Sequence, residues 1–365
     1  MKRGFALLVA ILCYFCTYSQ EANADSKIPE FIVTPRFDVN PYAPIKSGYK
    51  GFDFGNSSLY TFLDGSVGNF SYSLCNHWFA SDWDTTKSLY KDSFRSDYTD
   101  FIDWLTLSYQ VGQFNFTIGK DMLAIGTWEL DYYDVDVHTS LVSPFWHKIS
   151  IYQWGGAVDY TTKDESTNIR FQFGTSPFVS QFGERPFTSR LFTYSLDWRG
   201  EYGCFAPIWS ANLIEYEPGT FIKIASLGNG FFVGNFAAEI DLMYKHLNCS
   251  RRDGYGKESN HEFSVVSKFG YTLKDKVELF VKGGYEHRTG LDIFGSEDDF
   301  GFMPTDLSTK SFAFYGGGVN YYPLRSSKDL RLHAVIAANT HSKSLALSIG
   351  ATYHFNLTDT IRKHK

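Results

Sequence analysis

After its first sixteen residues the sequence has no apolar run approaching the roughly 20 residues a membrane-crossing helix needs, and the mean hydropathy is -0.24. A helical membrane bundle is excluded. Cysteine is scarce, 5 in 365 residues. Two of these, Cys13 and Cys16, sit in the N-terminal apolar stretch, and the remaining Cys75, Cys204 and Cys249 are isolated from one another. An odd number of scattered thiols forbids a full disulfide framework and offers no zinc spacing. Basic charge is not in excess either. Removing Lys2 and Arg3 from 34 basic residues leaves 32 against 40 acidic, a net charge of about -8, so nucleic acid is not an expected partner. No G-x-S-x-G, H-E-x-x-H or paired-carboxylate motif stands where a strand-to-loop junction could use it, so the chain is not read as an enzyme. Asp84, Asp92, Asp97, Asp100 and Asp103 are numerous enough for calcium, but their spacing fits no EF-hand loop. No cofactor or metal is expected.

What the chain has in quantity is aromatic residues, 18% of the total, with 34 Phe and 24 Tyr against only 4 Met and 11 Pro. Such usage favours strands. The first residues, MKRGFALLVAILCYFCTYSQ, join a basic start (Lys2, Arg3) to an apolar stretch and then small Thr17 and Ser19. This pattern reads as a secretory signal peptide over residues 1–20, cleaved near Ser19 or Gln20.

Alternation recurs throughout the rest. In STNIRFQF (166–173) Ile169, Phe171 and Phe173 oppose Asn168, Arg170 and Gln172, because side chains on a strand have period two. DWLTLSYQV (103–111) and QFNFTIG (113–119) repeat the rhythm, as do GFFVGNFAAEIDLMYK (230–245), where Phe232 is read with the apolar set, and DLRLHAVIAAN (329–339). A soluble sandwich also alternates, so the connections decide. Tight turns are read at 64–69, 111–113, 199–203, 227–230 and 273–276, each supplying Gly, Asn or Asp for positive φ. Between them fall long connections at 79–101, 121–147, 178–189, 246–260 and 288–310. Short connections alternating with long ones are the signature of a transmembrane barrel.

The sequence therefore predicts an all-β fold, a transmembrane antiparallel β-barrel of about sixteen strands with both termini at the short-turn, periplasmic rim. Strands are expected near 31–38, 57–64, 69–79, 102–111, 113–120, 148–161, 166–177, 189–199, 203–215, 219–226, 231–246, 261–272, 276–288, 310–322, 329–340 and 345–355. Pro35 makes the first the weakest; losing it with one partner would leave about fourteen. Residues 21–355 form one barrel domain and 356–365 a short periplasmic tail.

The last strand carries a further signal. In SIGATYHF (348–355) Ser348, Gly350, Tyr353 and Phe355 occupy a polar-x-Gly-x-x-aromatic-x-aromatic pattern, which resembles the C-terminal signal read by the machinery that inserts outer-membrane barrels. The segment FTIGKDMLAIGTWELDYYDVDVHTSLVSPFWHKISIYQWGGAVDYT (116–161) is similar to the phosphate-selective porin O and P family, particularly its Bacteroidetes members. The shared features are a strand ending in Gly-Lys, a long acidic and aromatic loop, and a Tyr-Gln-Trp-Gly strand. That resemblance implies a roughly sixteen-stranded diffusion pore in the bacterial outer membrane, compatible with a homotrimer, whose partners are outer-membrane lipid, lipopolysaccharide, the insertion machinery and small hydrophilic solutes.

A lumen of that width must be narrowed by an infolded loop before it can select. The candidate is 121–147, with Trp128, Glu129, Asp131, Tyr132, Tyr133, Asp134, Asp136 and His138. On the expected pore wall stand Arg170, Arg199, Lys223, Lys268, Lys282 and Arg331 against Asp197, Glu239, Asp241 and Glu278. Signs are mixed, so no basic ladder supports phosphate selectivity, and a weak cation preference is expected. The other reading is a non-conducting outer-membrane barrel with a binding or structural role at the cell surface.

Overall fold

The computed structural model describes residues 27–42, 51–54, 57–79, 102–131, 141–143, 151–177, 191–250, 257–289, 311–325, 327–340 and 345–363. The expected signal peptide lies outside these residues. The strands run in chain order: β1 (Lys27–Tyr42), β2 (Gly51–Asp53), β3 (Ser58–Val67), β4 (Phe70–Phe79), β5 (Ile102–Val111), β6 (Phe114–Met122), β7 (Tyr152–Thr161), β8 (Thr167–Thr175) and β9 (Phe192–Gly200). They continue with β10 (Phe205–Glu217), β11 (Thr220–Val233), β12 (Phe236–Ser250), β13 (Lys257–Leu273), β14 (Val277–Thr289), β15 (Ser311–Tyr321), β16 (Leu330–Asn339), β17 (Ala346–Tyr353) and β18 (Phe355–Asn356). Two short helices, α1 (Trp128–Asp131) and α2 (Leu357–Lys363), complete the described elements.

Every neighbouring pair is antiparallel, and β1 pairs with β3 on one side and with β17 and β18 on the other. β2 is a short strand added onto the end of β1, and β18 prolongs β17. The sheet therefore closes on itself as a sixteen-strand cylinder and leaves no edge, which satisfies every backbone group where no water can. Pro35 is accommodated by a gap. The ladder from β1 to its C-terminal partners pairs Ile32 and Val33, then resumes at Arg36, so the residue without an N–H sits where pairing is interrupted.

Strand faces follow the two-residue period. Leu105, Leu107, Phe116, Ile118, Phe171 and Leu242 all lie on the outside and are exposed. Together they make an apolar band far larger than a water-facing surface tolerates. The rims differ. One has connections at 68–69, 112–113, 162–166, 201–204, 234–235, 274–276 and 322–329, with Gly68, Gly112, Gly203 and Gly234 at positive φ. The other holds the connections near 80–101, 123–151, 176–191 and 290–310, together with a tight turn at Pro218 and Gly219.

Two expected connections move. LGNG (227–230) is not a turn: β11 runs through it, and the chain reverses at Gly234 and Asn235. The glycines of LGNG serve contact with an inner segment instead, described below. The 246–260 connection shrinks to 251–256, because β12 and β13 pair as far as Ser250 and Lys257. The tail is not a plain polar trailer either. Asn356 caps α2 by accepting the Asp359 N–H at 3.0 Å. Thr358 Oγ1 accepts the Phe31 N–H at 2.9 Å and donates to the Pro29 carbonyl at 3.0 Å, which fixes the tail to β1.

Candidate functional site

The residues that follow β6 turn into the cylinder. Leu123, Ala124 and Ile125 are buried, and their backbone is held by side chains pointing inward from the wall. The Ala124 N–H donates to Gln172 Oε1 of β8 at 2.9 Å, while Asn212 Nδ2 of β10 donates to the Ala124 carbonyl at 2.6 Å. One residue on from Ile125, Gly126 donates to Ser210 Oγ at 2.8 Å, and its carbonyl accepts the Gly228 N–H of β11 at 3.0 Å. The approach is so close that a Cβ at Gly126 would lie 2.6 Å from the backbone of Trp209. Only glycine fits there.

Next comes α1. Thr127 Oγ1 accepts the Leu130 N–H at 3.2 Å, and Asp241 of β12 accepts the Trp128 and Glu129 N–H groups at 2.8 and 2.9 Å. A single carboxylate thus satisfies two of the donors that the first turn leaves open. Glu129 in turn accepts the Ser143 N–H at 2.7 Å and faces Lys282 Nζ of β14 at 3.3 Å. Ser143 Oγ donates to Glu286, which also accepts Ser264 Oγ at 3.1 Å.

Apolar packing matches these tethers. Leu123, Ile125 and Leu130 cluster with Leu191, Ile214, Ile222, Ile224 and Met243 on one part of the wall. Leu141 and Val142 cluster with Val266, Phe280, Phe312, Phe314, Val335 and Ala337 on another. Ile222 is fully buried on an inward face. The wall also thins to receive the segment: a Cβ at Gly228 would meet Thr127 Cα at 3.1 Å, one at Gly230 would overlap the Trp128 ring at 2.6 Å, and one at Gly316 would come within 2.9 Å of Leu141.

Of the expected loop residues, Trp128, Glu129 and Asp131 lie inside the barrel. Tyr132, Tyr133, Asp134, Asp136 and His138 fall outside the described residues. The Trp128 ring meets Phe232 edge-on at 5.2 Å. Phe232 therefore faces in, not out with Phe236 as its place in the alternation suggested. Even-numbered residues of β11 point inward as far as Phe232, one residue short of the strand's end at Val233.

The wall residues Arg170, Asp197, Arg199, Glu239, Asp241, Lys268, Glu278, Lys282 and Arg331 share the inward face with these tethers. Lys223 does not. It is exposed on the outside, paired with His246 and flanked by inward Ile222 and Ile224. The rule that polar means inward fails here because the inner surface is covered by Leu123, Ile125 and Leu130 and is itself apolar.

Around the inward bases the carboxylates are in excess. Arg170 reaches both oxygens of Asp159 at 3.1 Å and also pairs with Asp121. Arg199 donates to Asp197 at 2.9 Å and to Asp131 of α1. Lys268 lies 3.8 Å from Glu239 and 3.9 Å from Glu278. Three cations thus face six carboxylates. Lys245 pairs with Glu262 at 2.5 Å, and Arg331 donates to Thr352 at 3.3 Å. Asp121, Asp159, Ser143 and Glu286 went unrecognised in the sequence. Strands with apolar residues on both faces, such as β11 and β15, were the available clue that something covers the wall. Among the described residues no group of His, Cys, Asp and Glu is placed to hold a metal ion.

In the last strand Ser348 and Gly350 face inward and Tyr353 outward, with the Tyr353 and Phe355 rings stacked at 6.0 Å. A Cβ at Gly350 would lie 2.2 Å from Asp38 Oδ1. That oxygen also lies 2.6 Å from His333 Nε2.

No family model and no curated protein matches the chain. Solved structures do. The anion-selective porin from Comamonas acidovorans is 10% identical with a TM-score of 0.58, covering 91% of this chain and 100% of its own. The outer membrane channel DcaP of Acinetobacter baumannii is 13% identical, with a TM-score of 0.57 and coverage of 92% and 99%. OmpT of Vibrio cholerae in its trimer form is 12% identical, with a TM-score of 0.55 and coverage of 90% and 99%. The chain has the fold of these outer-membrane porins, a closed sixteen-strand antiparallel barrel. Its outward apolar band is the surface that a membrane-spanning barrel presents to lipid. The resemblance of 116–161 to the phosphate-selective porins gains nothing finer than this shared barrel.

Proposed function

We propose that the protein is a passive outer-membrane pore for small hydrophilic solutes and ions, narrowed by the infolded segment 121–147 and preferring cations. One observation supports the reading: residues 123–131 lie inside the barrel and are tethered to β8, β10, β11, β12 and β14 by named hydrogen bonds. A surface loop has no use for such a seat. Trp128, Glu129, Asp131, Tyr133, Asp134 and Asp136 belong to the constriction, and the inward charged residues form the wall. The six carboxylates around Arg170, Arg199 and Lys268 set the sign, since a charged ring selects by its excess.

Planar-bilayer recording of the purified barrel tests both parts. Stepwise ohmic conductance is expected, with a reversal potential in a salt gradient that favours cations. A barrel that never conducts would support the non-conducting surface protein; clear anion preference would show that the bases dominate the filter. Residues 1–20 act as an export signal removed from the mature chain. Ser348, Gly350, Tyr353 and Phe355 act as the insertion signal, and lipid, lipopolysaccharide and a homotrimeric arrangement are the partners this reading implies. OmpT of Vibrio cholerae has a trimer form.

A further inference from the structure

The apolar seat of Leu123 and Ile125 explains why residue 223 points outward, but not why that residue is a base. Leu213 and Phe173, in the same row of the outer face, show what suits lipid there. An ammonium group gains nothing from hydrocarbon. Lys223 is also not alone. It stands opposite His246, and His246 opposite His261, so three basic side chains form one row across β11, β12 and β13. The His246 and His261 rings stack at 4.4 Å with 10° between their planes, and Tyr244 Oη meets His261 Nδ1 at 2.6 Å. Lys223 and His261 are exposed, and His246 is half-buried.

The rows below this one follow the order of a lipid molecule. Lys223 lies three residues into β11 from Thr220, about 10 Å of strand, on the rim of the long connections. Toward the short turns the next outward row is Ala225, Tyr244 and Phe263, a piece of aromatic girdle. The row after that is Leu227, Leu242 and Val265. Basic groups, then rings, then aliphatic side chains match a charged head group, its linkage region and its acyl chains.

We infer that Lys223, His246 and His261 bind the phosphate of a phosphorylated glycolipid in the leaflet on the long-connection side. The Lys223 ammonium and the imidazole N–H groups are donors, and a phosphate oxygen accepts charge-assisted bonds from them. Tyr244 orients the His261 ring, and the acyl chains descend over Phe263 and Leu242. Charge complementarity selects this occupant. A second copy docked through the same patch would set base against base, and Glu215, the outward carboxylate on neighbouring β10, is committed to the Phe192 and Gly219 N–H groups at 3.0 and 2.8 Å. The inference rests on the outer-membrane reading, which puts this rim outside the cell, and is independent of conduction.

Native mass spectrometry of the detergent-purified barrel tests it, with diphosphorylated lipid A and the same lipid stripped of its phosphates as probes. Wild type should hold the phosphorylated form at least about tenfold more tightly, the worth of one hydrogen bond to a charged group. Lys223→Gln should lose most of that preference, and Lys223→Arg should keep it, both with unchanged strand content by circular dichroism. Equal retention of the two lipids, or a Lys223→Gln barrel that discriminates like wild type, overturns the site. Displacement of bound lipid A by millimolar inorganic phosphate overturns the lipid assignment in favour of a free anion. Assemblies of copies that come apart in Lys223→Gln overturn it in favour of a second copy. Planar-bilayer recording of the same protein separates the two readings: a barrel that conducts without discriminating between the lipids overturns the site alone, and one that discriminates without conducting supports the site and overturns the pore.

Discussion

Asp241 ties α1 to the wall through both of its carboxylate oxygens. It is buried, and both its oxygens are taken by N–H donors of α1. Asp241→Ala leaves those two donors without their acceptor, at a cost of about 1–3 kcal/mol for each buried group left unsatisfied. Because the barrel itself is held by backbone ladders, that loss falls on the segment. The variant should fold with unchanged strand content by circular dichroism but conduct more, with noisier open-channel current. Gly126 is the complementary case. The Cβ of Gly126→Ala would lie 2.6 Å from Trp209 backbone, which cannot yield as a side-chain tip can. This variant should lift the segment off β10, and protease digestion in detergent should cut the 121–147 region in it faster than in wild type. Equal cutting rates would mean that the backbone contact is not what fixes the segment.

The strands themselves were almost entirely legible, because each obeys a local rule. Ile169, Phe171 and Phe173 in β8 alternate strictly, and so do Leu347, Ile349 and Tyr353 in β17; the structure places every one of them outside. Legibility ended where a second layer covers the first. Ile222 and Ile224 flank Lys223, whose charge was expected to place it on the pore wall, and only the three-dimensional seat of Leu123 and Ile125 shows why it faces out. Phe312 and Phe314 in β15 face in for the same reason, beneath Leu141 and Val142. The acidic partners Asp121 and Asp159 were missed because nothing in a single strand shows which inward residues become neighbours around a cylinder. The helical tail was missed too, since seven residues carry little helix signal of their own. Its attachment gives an element-level expectation. Truncation after Asn356 removes Thr358 and with it two hydrogen bonds to β1, so the barrel should still close but unfold at lower denaturant, by about 1–3 kcal/mol. Urea titration in detergent micelles measures this.

The molecule as a whole presents two surfaces that obey opposite rules, and β8 holds both in neighbouring residues. Phe171 is half-exposed on the outer band, and Arg170 beside it is locked to Asp159 and Asp121 within. In a protein surrounded by water, Phe171→Arg would be neutral or mildly helpful, since it trades an exposed ring for charge. In a bilayer the same change sets a guanidinium in hydrocarbon, at a cost of about 2–4 kcal/mol near the midplane. The inner residue behaves in reverse. Arg170→Leu removes a cation from two carboxylates facing the lumen, so it should raise cation preference in bilayers while leaving lipid-side stability nearly unchanged. Refolding both variants into phosphatidylcholine vesicles and titrating with guanidinium chloride separates the outcomes. Loss of stability confined to Phe171→Arg, with the altered reversal potential confined to Arg170→Leu, is what a lipid-facing outside and a conducting inside require. A stable Phe171→Arg barrel would mean that the apolar band is covered by something other than lipid.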